Sequence, residues 1–520
     1  MLYIRGVAPH MWVLHLIREG GRQLANRTLE GVRFLFRVSR LPDGSLFFGT
    51  DVFGTDVRFG AFVMASNGLC FQSYRFTTDS DKMESIQTMS SKLIRGGRVI
   101  DPSQAADRVT NILVCEGRIA AWDVSETDVP EGTEILDATG KIVVPGLIDM
   151  HVHLREPGRE EDETIATGTA AAVCGGFTSI ACMPNTDPPM DTQSSLEFVR
   201  HQAEQAGCCN VFSVGCVSKN REGKELAEIG MLVASGAVAF SDDGAPVYNA
   251  ELMREAFQYC RMFDKPVLNH AEIPELTRGG VMHAGGVSMQ LGLPGMPEAA
   301  EAAMVSRDIA LAEATGGRLH IMHVSTRDAI ESVARAKQRG VAVTAEVTPH
   351  HFTLTDECLR TFDSNYKMNP PLRPEEHRAA CVRGLQEGVI DVIATDHAPH
   401  ASEKKQCEID LAPFGIVGLE TALGLVITQL VEPGLLDWSS AIAKMTINPA
   451  KILGLAKGTL AVGADADITI IDPKVQWIVD PTQFASKGKN TPFGGMKLVG
   501  RADSVLVAGV VKARKGQLVS

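Results

Sequence analysis

Between about residues 145 and 454 this sequence alternates in character, and that alternation leaves few folds open. Eight short β-type runs recur: Leu147–His151, Thr178–Cys182, Val211–Cys216, Ala237–Ser241, Pro266–Asn269, Arg318–His323, Val341–Val347 and Asp391–Thr395. Segments compatible with helices lie between them, for example Thr164–Cys174, Glu251–Phe263, Glu298–Ala314 and Arg327–Arg339. Parallel strands need crossover connections, and eight β/α units in about 300 residues predict a closed (β/α)8 TIM barrel. An open doubly wound sheet is the alternative. Its nucleotide-binding versions lose support, because neither GxGxxG nor GxxxxGK[ST] stands at a strand–helix junction.

Further β-type runs flank the centre. Lys92–Val99, Asn111–Cys115, Arg118–Trp122 and Lys141–Val144 precede it; Asp467–Ile471, Gln476–Val479, Ser504–Val507 and Val510–Ala513 follow it. Each set alone has few strands for a core. A small β-sandwich domain built from 89–145 and 455–520 accounts for both, with 146–454 as the catalytic barrel. Residues 1–88 look foreign to the rest. Nine of the 20 Phe fall in residues 1–82, nine Arg precede the first Lys (Lys82), and no period of 3.6 or 2 is sustained. Three readings compete: an N-terminal extension without ordered structure, a transit-like segment, or a reading frame begun too far upstream. Met83 and Met89, just ahead of the first regular runs, favour the third.

Composition removes whole classes of function. With 44% hydrophobic and 22% charged residues the chain is neither disordered nor a coiled coil. A net charge of −13 denies it the broad positive field that nucleic acid requires, while two or three local cations still suffice for a small anionic substrate. No apolar run approaches the roughly 18 residues of a membrane helix, and residues 1–20 mix Arg, His and Glu into their apolar stretch, unlike a secretory signal. The 11 cysteines include no CxxC pair, which fits reduced thiols in a cytoplasmic setting. A cytoplasmic protein without membrane or nucleic-acid partners is expected.

Chemistry gathers at the C-terminal ends of the central runs. His151 and His153 stand two apart at the end of the first, and residues i and i+2 of a strand face the same side. Alone, HxH is a common pattern. Asp243 ends the fourth run, His270 the fifth, His323 the sixth and Asp396 the eighth. In a barrel these ends converge on the face where active sites are built. Four His and two Asp, without thiolate, suit Zn²⁺ or a similar divalent ion. They exceed the three protein ligands of one catalytic zinc, so two ions per subunit are expected. Asp243 would bridge them, with His151, His153 and Asp396 on one ion and His270 and His323 on the other. A hydroxide shared by two such ions is a nucleophile near neutral pH, and Asp396 can pass a proton to a leaving nitrogen.

The stretch Pro-Gly-Leu-Ile-Asp-Met-His-Val-His-Leu-Arg-Glu-Pro-Gly (145–158) resembles the signature of the cyclic amidohydrolases, most closely the bacterial type I dihydroorotase class. Met183-Pro184-Asn185-Thr186, Phe240-Ser241-Asp242-Asp243-Gly244, Lys367 to Arg373 (Lys-Met-Asn-Pro-Pro-Leu-Arg) and Ala394 to His400 (Ala-Thr-Asp-His-Ala-Pro-His) extend it in the family's order. The resemblance covers about 91–520. It implies a zinc-dependent hydrolase of pyrimidine biosynthesis that interconverts N-carbamoyl-L-aspartate and L-dihydroorotate, with a metal-activated hydroxide and Asp396 as general acid/base. It assigns the six residues above as metal ligands. It assigns Arg155, Asn185 and His400 to the substrate carboxylate, and Asn369 with the backbone of Phe414-Gly415 to the ring, with His153 also among the substrate contacts. A planar Arg fork and a two-faced amide suit those tasks.

Within the resemblance, hydantoinases, dihydropyrimidinases and allantoinases carry a carbamylated Lys at the end of the fourth strand. This chain reads Ser241-Asp242-Asp243 there, and its nearest lysines are Lys219, Lys224 and Lys265. An allantoinase or hydantoinase activity and a non-catalytic partner of aspartate carbamoyltransferase are the alternatives; a homo-oligomer is expected. Other residues receive plainer readings. Asp242 is a loop acceptor, His350 and His351 are structural, and His397 stands behind the ligands. His201, His283, His320 and His377 are surface or packing histidines, Cys208-Cys209 has no redox role, and 487–490 is a solvated turn.

Overall fold

Eight strands of the central region form one parallel sheet. Leu147–Val152 (β1), Phe177–Cys182 (β2), Asn210–Gly215 (β3), Ala239–Phe240 (β4), Val267–Asn269 (β5), Leu319–Ile321 (β6), Val343–Val347 (β7) and Val392–Ile393 (β8) pair in that order. Contacts just past the strand ends bring β8 back to β1. Val152 bridges His397 in parallel, and the His153 N–H donates to His397 O at 2.9 Å. The buried Asp149 carboxylate spans the same seam, accepting from the His151 N–H at 3.1 Å and the Thr395 N–H at 3.2 Å. The sheet is therefore a barrel, and the open alternative falls away. The sixth and eighth strands are shorter than their apolar runs because the chain leaves the extended region just past them: His323 has φ 31° and Asp396 φ 48°.

This computed structural model describes residues 91–519 with their side chains. In the separate N-terminal unit it describes the backbone of seven strands. There Leu2–Ala8 pairs antiparallel with Met11–Leu16, and Asn26–Leu29, Val32–Arg40, Leu46–Val52, Phe59–Ala65 and Gly68–Tyr74 form an antiparallel sheet in chain order. Which of the three readings of 1–88 holds lies outside the described residues.

Helices such as Ile165–Gly175, Ala250–Arg261, Ala299–Thr315 and Arg327–Gln338 cover the barrel. Thr164 opens the first with a reciprocal cap to Thr167, and Gly176 closes it at φ 106°. Phe177 and Ile180 from β2 pack in one core with Val199, Leu252, Phe257, Ile309 and Val333 from the helices. Full burial of each large side chain contributes about 2–3 kcal/mol. A second cluster fills the barrel itself: Met150, Ala181, Val214, Ala239, Leu268, Met322 and Val392. That plug supports the site at the C-terminal mouth.

A nine-stranded sheet uses both flanks. Ile142–Pro145 pairs parallel with Ser91–Asp101 and antiparallel with Ile468–Ile478, so segments more than 300 residues apart share one ladder. Ile94, Val99, Ile112, Val143, Ile468, Ile470 and Leu506 form its core. The runs Asp467–Ile471 and Gln476–Val479, read separately in sequence, are one strand with an irregular register between Asp472 and Gln476.

Candidate metal centre and active site

Six side chains from five strand ends meet inside the barrel mouth, each at most 5% exposed. Asp243 lies between two pairs of imidazoles. Its Oδ2 is 3.5 Å from His151 Nε2 and 3.3 Å from His153 Nε2. Its Oδ1 is 3.7 Å from His270 Nδ1 and 3.8 Å from His323 Nε2. Asp396 Oδ1 faces the first pair, 3.4 Å from His151 Nε2 and 3.0 Å from His153 Nε2. Three triads have ligand atoms within 4.8 Å of one another: His151/His153/Asp243, His151/His323/Asp396 and Asp243/His270/His323. One carboxylate thus addresses both halves of the cluster, one oxygen to each.

The far nitrogens of the rings decide what the near ones can do. His151 Nδ1 donates to Glu346 Oε1 at 2.6 Å. His153 Nδ1 donates to Asn185 Oδ1 at 2.8 Å, and His270 Nε2 to Glu272 Oε2 at 3.2 Å. A neutral imidazole carries one N–H, so each near nitrogen is left as a lone pair. His151 Nε2 is buried without a hydrogen-bond partner and faces two carboxylate oxygens. Imidazole lone pairs from His151, His153 and His270 converging with two carboxylates are what a cation requires; the donor set fits a divalent metal.

The orienting residues were not visible in sequence. Glu346 is buried on β7 and also takes His320 Nε2 at 3.1 Å and the His323 N–H at 3.3 Å. His320, read as ordinary packing, belongs to this network. The one available signal was a lone carboxylate inside an apolar strand (Val-Thr-Ala-Glu-Val). Arg221 braces the loop of Asp243, donating to Asp242 O at 3.1 Å and to Asp243 O. It does so from a left-handed backbone, with φ 54° at Asn220 and 56° at Arg221.

The carboxylate-binding candidates line the same mouth. Arg155 is buried, left-handed at φ 61°, and donates Nε–H to Pro399 O at 3.2 Å. Burial lowers it to about 10, so it remains charged at neutral pH. Asn185 spends Oδ1 on His153, which leaves its Nδ2 as a free donor. His400 Nε2 donates to Phe414 O at 2.7 Å, and burial with Arg155 nearby lowers the ring to about 3, leaving it neutral. In this arrangement His400 supports the Phe414-Gly415 backbone. Gly415 has φ 152°, and a Cβ there would lie 2.8 Å from the His400 ring, so only glycine allows the approach. Asn369 donates Nδ2–H to Glu272 Oε2 at 2.6 Å.

Asp242 turns away from the candidate ligands, accepting the Val217 and Ser218 N–H groups at 2.9 and 3.0 Å. His351 anchors the Asn369 loop, donating Nε2–H to Pro370 O at 3.0 Å. His397 donates to Glu163 at 3.4 Å. The segment 487–490 corrects its reading as a solvated turn. Asn490 is 4% exposed and bonds His400 N, Ala398 O and Gly415 O, tying two site loops together. His283, Glu298 and His377 form a second compact group. It does not suit a metal: His283 Nδ1 accepts from Arg373, and His377 Nδ1 from the Arg327 N–H, so both Nε2 atoms carry the proton.

The amidohydrolase family model matches residues 142–512. Over 419 residues the chain is 55% identical to a dihydroorotase of Pelotomaculum thermopropionicum, spanning 81% of this chain and 97% of that one. It is 51% identical over 417 residues to a dihydroorotase of Syntrophus aciditrophicus, spanning 80% and 98%. Among solved structures, an L-hydantoinase (dihydropyrimidinase) from Arthrobacter aurescens is similar with TM-score 0.74 at 28% identity, over 83% of this chain and 98% of that one. A D-hydantoinase (dihydropyrimidinase) from a Thermus species gives TM-score 0.70 at 28% identity, over 82% and 96%.

Proposed function

The chain belongs to the amidohydrolase family, and from that premise we propose that it is a zinc-dependent dihydroorotase. It joins the ureido nitrogen of N-carbamoyl-L-aspartate to its side-chain carboxyl carbon, releasing water and forming L-dihydroorotate, and runs the reverse hydrolysis. The observation that carries this reading is the bridging geometry of Asp243 beside a buried, charged Arg155. Zn²⁺ is favoured by the nitrogen and oxygen donors, and two ions by the pairing of imidazoles on each Asp243 oxygen.

Two such ions, when bound, supply Lewis acidity that polarises the amide carbonyl and lowers the pKa of water. The chain's own residues do the rest. Arg155 and the free Nδ2 of Asn185 hold the substrate carboxylate, and His400 completes that pocket beside Phe414. Asn369 and the backbone of Phe414-Gly415 hold the ring. Asp396, beside both His151 and His153, carries the proton to the ring nitrogen on hydrolysis and removes it on synthesis. Burial of all six ligand side chains keeps bulk water from competing for these interactions.

The hydantoinase neighbours favour, as a second reading, a ring without a carboxylate. Arg155 argues against it, and so do Lys219 and Lys224, whose ammonium groups pair with Glu225 and Glu222. The same proposal includes a homo-oligomer in the cytoplasm, able to associate with aspartate carbamoyltransferase. Among the described residues no helix is long and apolar enough to cross a membrane. The deciding experiment assays purified protein, before and after chelation, on dihydroorotate, dihydrouracil, hydantoin and allantoin. Metal-dependent turnover of dihydroorotate alone is expected. Turnover of a ring lacking the carboxylate would overturn the roles given to Arg155, Asn185 and His400.

A further inference from the structure

We propose that Glu272 is a positioning residue that couples the metal centre to ring recognition, by holding a ligand imidazole and the ring-reading amide on one carboxylate oxygen. The inference rests on the dihydroorotase reading above. Glu272 follows β5 in the run Asn269-His270-Ala271-Glu272. Its Oε2 lies 3.2 Å from His270 Nε2 and 2.6 Å from Asn369 Nδ2, and its carboxylate also takes the Thr277 hydroxyl. His270 and Asn369 are 99 residues apart in sequence, yet their nitrogens stand 3.3 Å from each other. Two N–H donors tolerate that separation because one acceptor serves both.

The consequences follow from hydrogen-bond chemistry. A carboxylate only accepts, so the His270 nitrogen it meets carries the proton and His270 Nδ1 keeps its lone pair for the metal centre. By the same rule the Asn369 atom it meets is the NH2 group. The remaining atom, Oδ1, is an acceptor free for the substrate. Asn369 Oδ1 is therefore turned to a ring N–H, and Glu272 sets that orientation. Glu272 and Asn369 also line, with Arg278, Lys367 and Phe414, a cavity of about 420 Å³ next to the site. The pair stands between this cavity and the metal ligands.

The test uses Glu272→Ala, Glu272→Gln, Asn369→Ala and the double variant Glu272→Ala/Asn369→Ala. Two quantities are read: KM for dihydroorotate, and Zn²⁺ affinity by competition with a chromophoric chelator. Glu272→Ala is expected to raise KM and to weaken Zn²⁺ binding, each by at least about tenfold. Glu272→Gln keeps an acceptor oxygen without the charge; it should recover most of the KM loss and little of the Zn²⁺ loss. In the Asn369→Ala background, removing Glu272 should change KM by less than about twofold, because the two act as a unit. Independent, multiplying effects on KM overturn the coupling, as does a Glu272→Ala enzyme with unchanged KM and Zn²⁺ affinity. If Glu272→Ala does not fold, the Zn²⁺ affinity of Glu272→Gln decides, and a wild-type value overturns the proposal. Wild-type protein that turns over no dihydroorotate removes the dihydroorotase reading alone; the Zn²⁺ comparison then still judges the His270 arm.

Discussion

His151 points its Nδ1–H into Glu346 Oε1 at 2.6 Å, and neither side chain reaches solvent. This bond fixes the tautomer that aims a lone pair from His151 at Asp243 and Asp396. A Gln at position 346 can present its NH2 group instead and turn the imidazole proton inward. Glu346→Gln should therefore weaken metal retention about 10–100-fold, measured by chelator competition. Unchanged affinity would remove Glu346 from the orienting role.

Asp396 sits 3.0 Å from His153 Nε2 with a left-handed backbone at φ 48°, and is placed to move the proton. Asp396→Ala should lower kcat by at least about 10³-fold while leaving much of the affinity for a ring carboxylate ligand. Steady-state turnover beside calorimetric titration separates the two. A wild-type kcat rejects the role.

Arg155 is buried and remains charged, and its Nε–H donates to a neutral acceptor, Pro399 O. Its replacement by Ala should weaken both substrates by about 2–4 kcal/mol, the scale for one lost buried charged contact. Rings without a carboxylate should be indifferent to the change. Near-wild-type affinity for dihydroorotate would take Arg155 out of the site.

Glu420 is partly buried, with Oε1 taking the Ala485 N–H at 2.7 Å and Oε2 enclosed without a partner. Burial pushes the carboxyl up to about 7. The folded state thus prefers the protonated form. The stability this group contributes is fully present below the unfolded value near 4.5 and is lost as pH rises through 7. Glu420→Gln cannot ionise and should be more stable than wild type above pH 7, by about 3 kcal/mol, with the difference vanishing near pH 4. Urea unfolding across that range checks it, and a pH-independent difference contradicts it.

Much of the barrel was legible because it is written locally. Apolar runs of strand length alternate with helical segments, and each needs only its neighbours in sequence to be recognised. The candidate ligands share that legibility, since each ends such a run and the barrel topology alone sends those ends to one face. The loop 487–490 was misread for the complementary reason. Its residues are polar and Gly-containing, and nothing local shows that Asn490 is enclosed by the loops of His400 and Gly415.

What the sequence by itself determined was therefore the periodic scaffold and the residue types at its strand ends. What only the tertiary structure decided was the direction in which each polar group works. Glu346 is 195 residues from His151, Asn185 is 32 from His153, and Asn369 is 97 from Glu272. A tautomer or an amide orientation depends on which acceptor lies on its far side. That acceptor is brought there by barrel closure, so it leaves no spacing pattern in the chain.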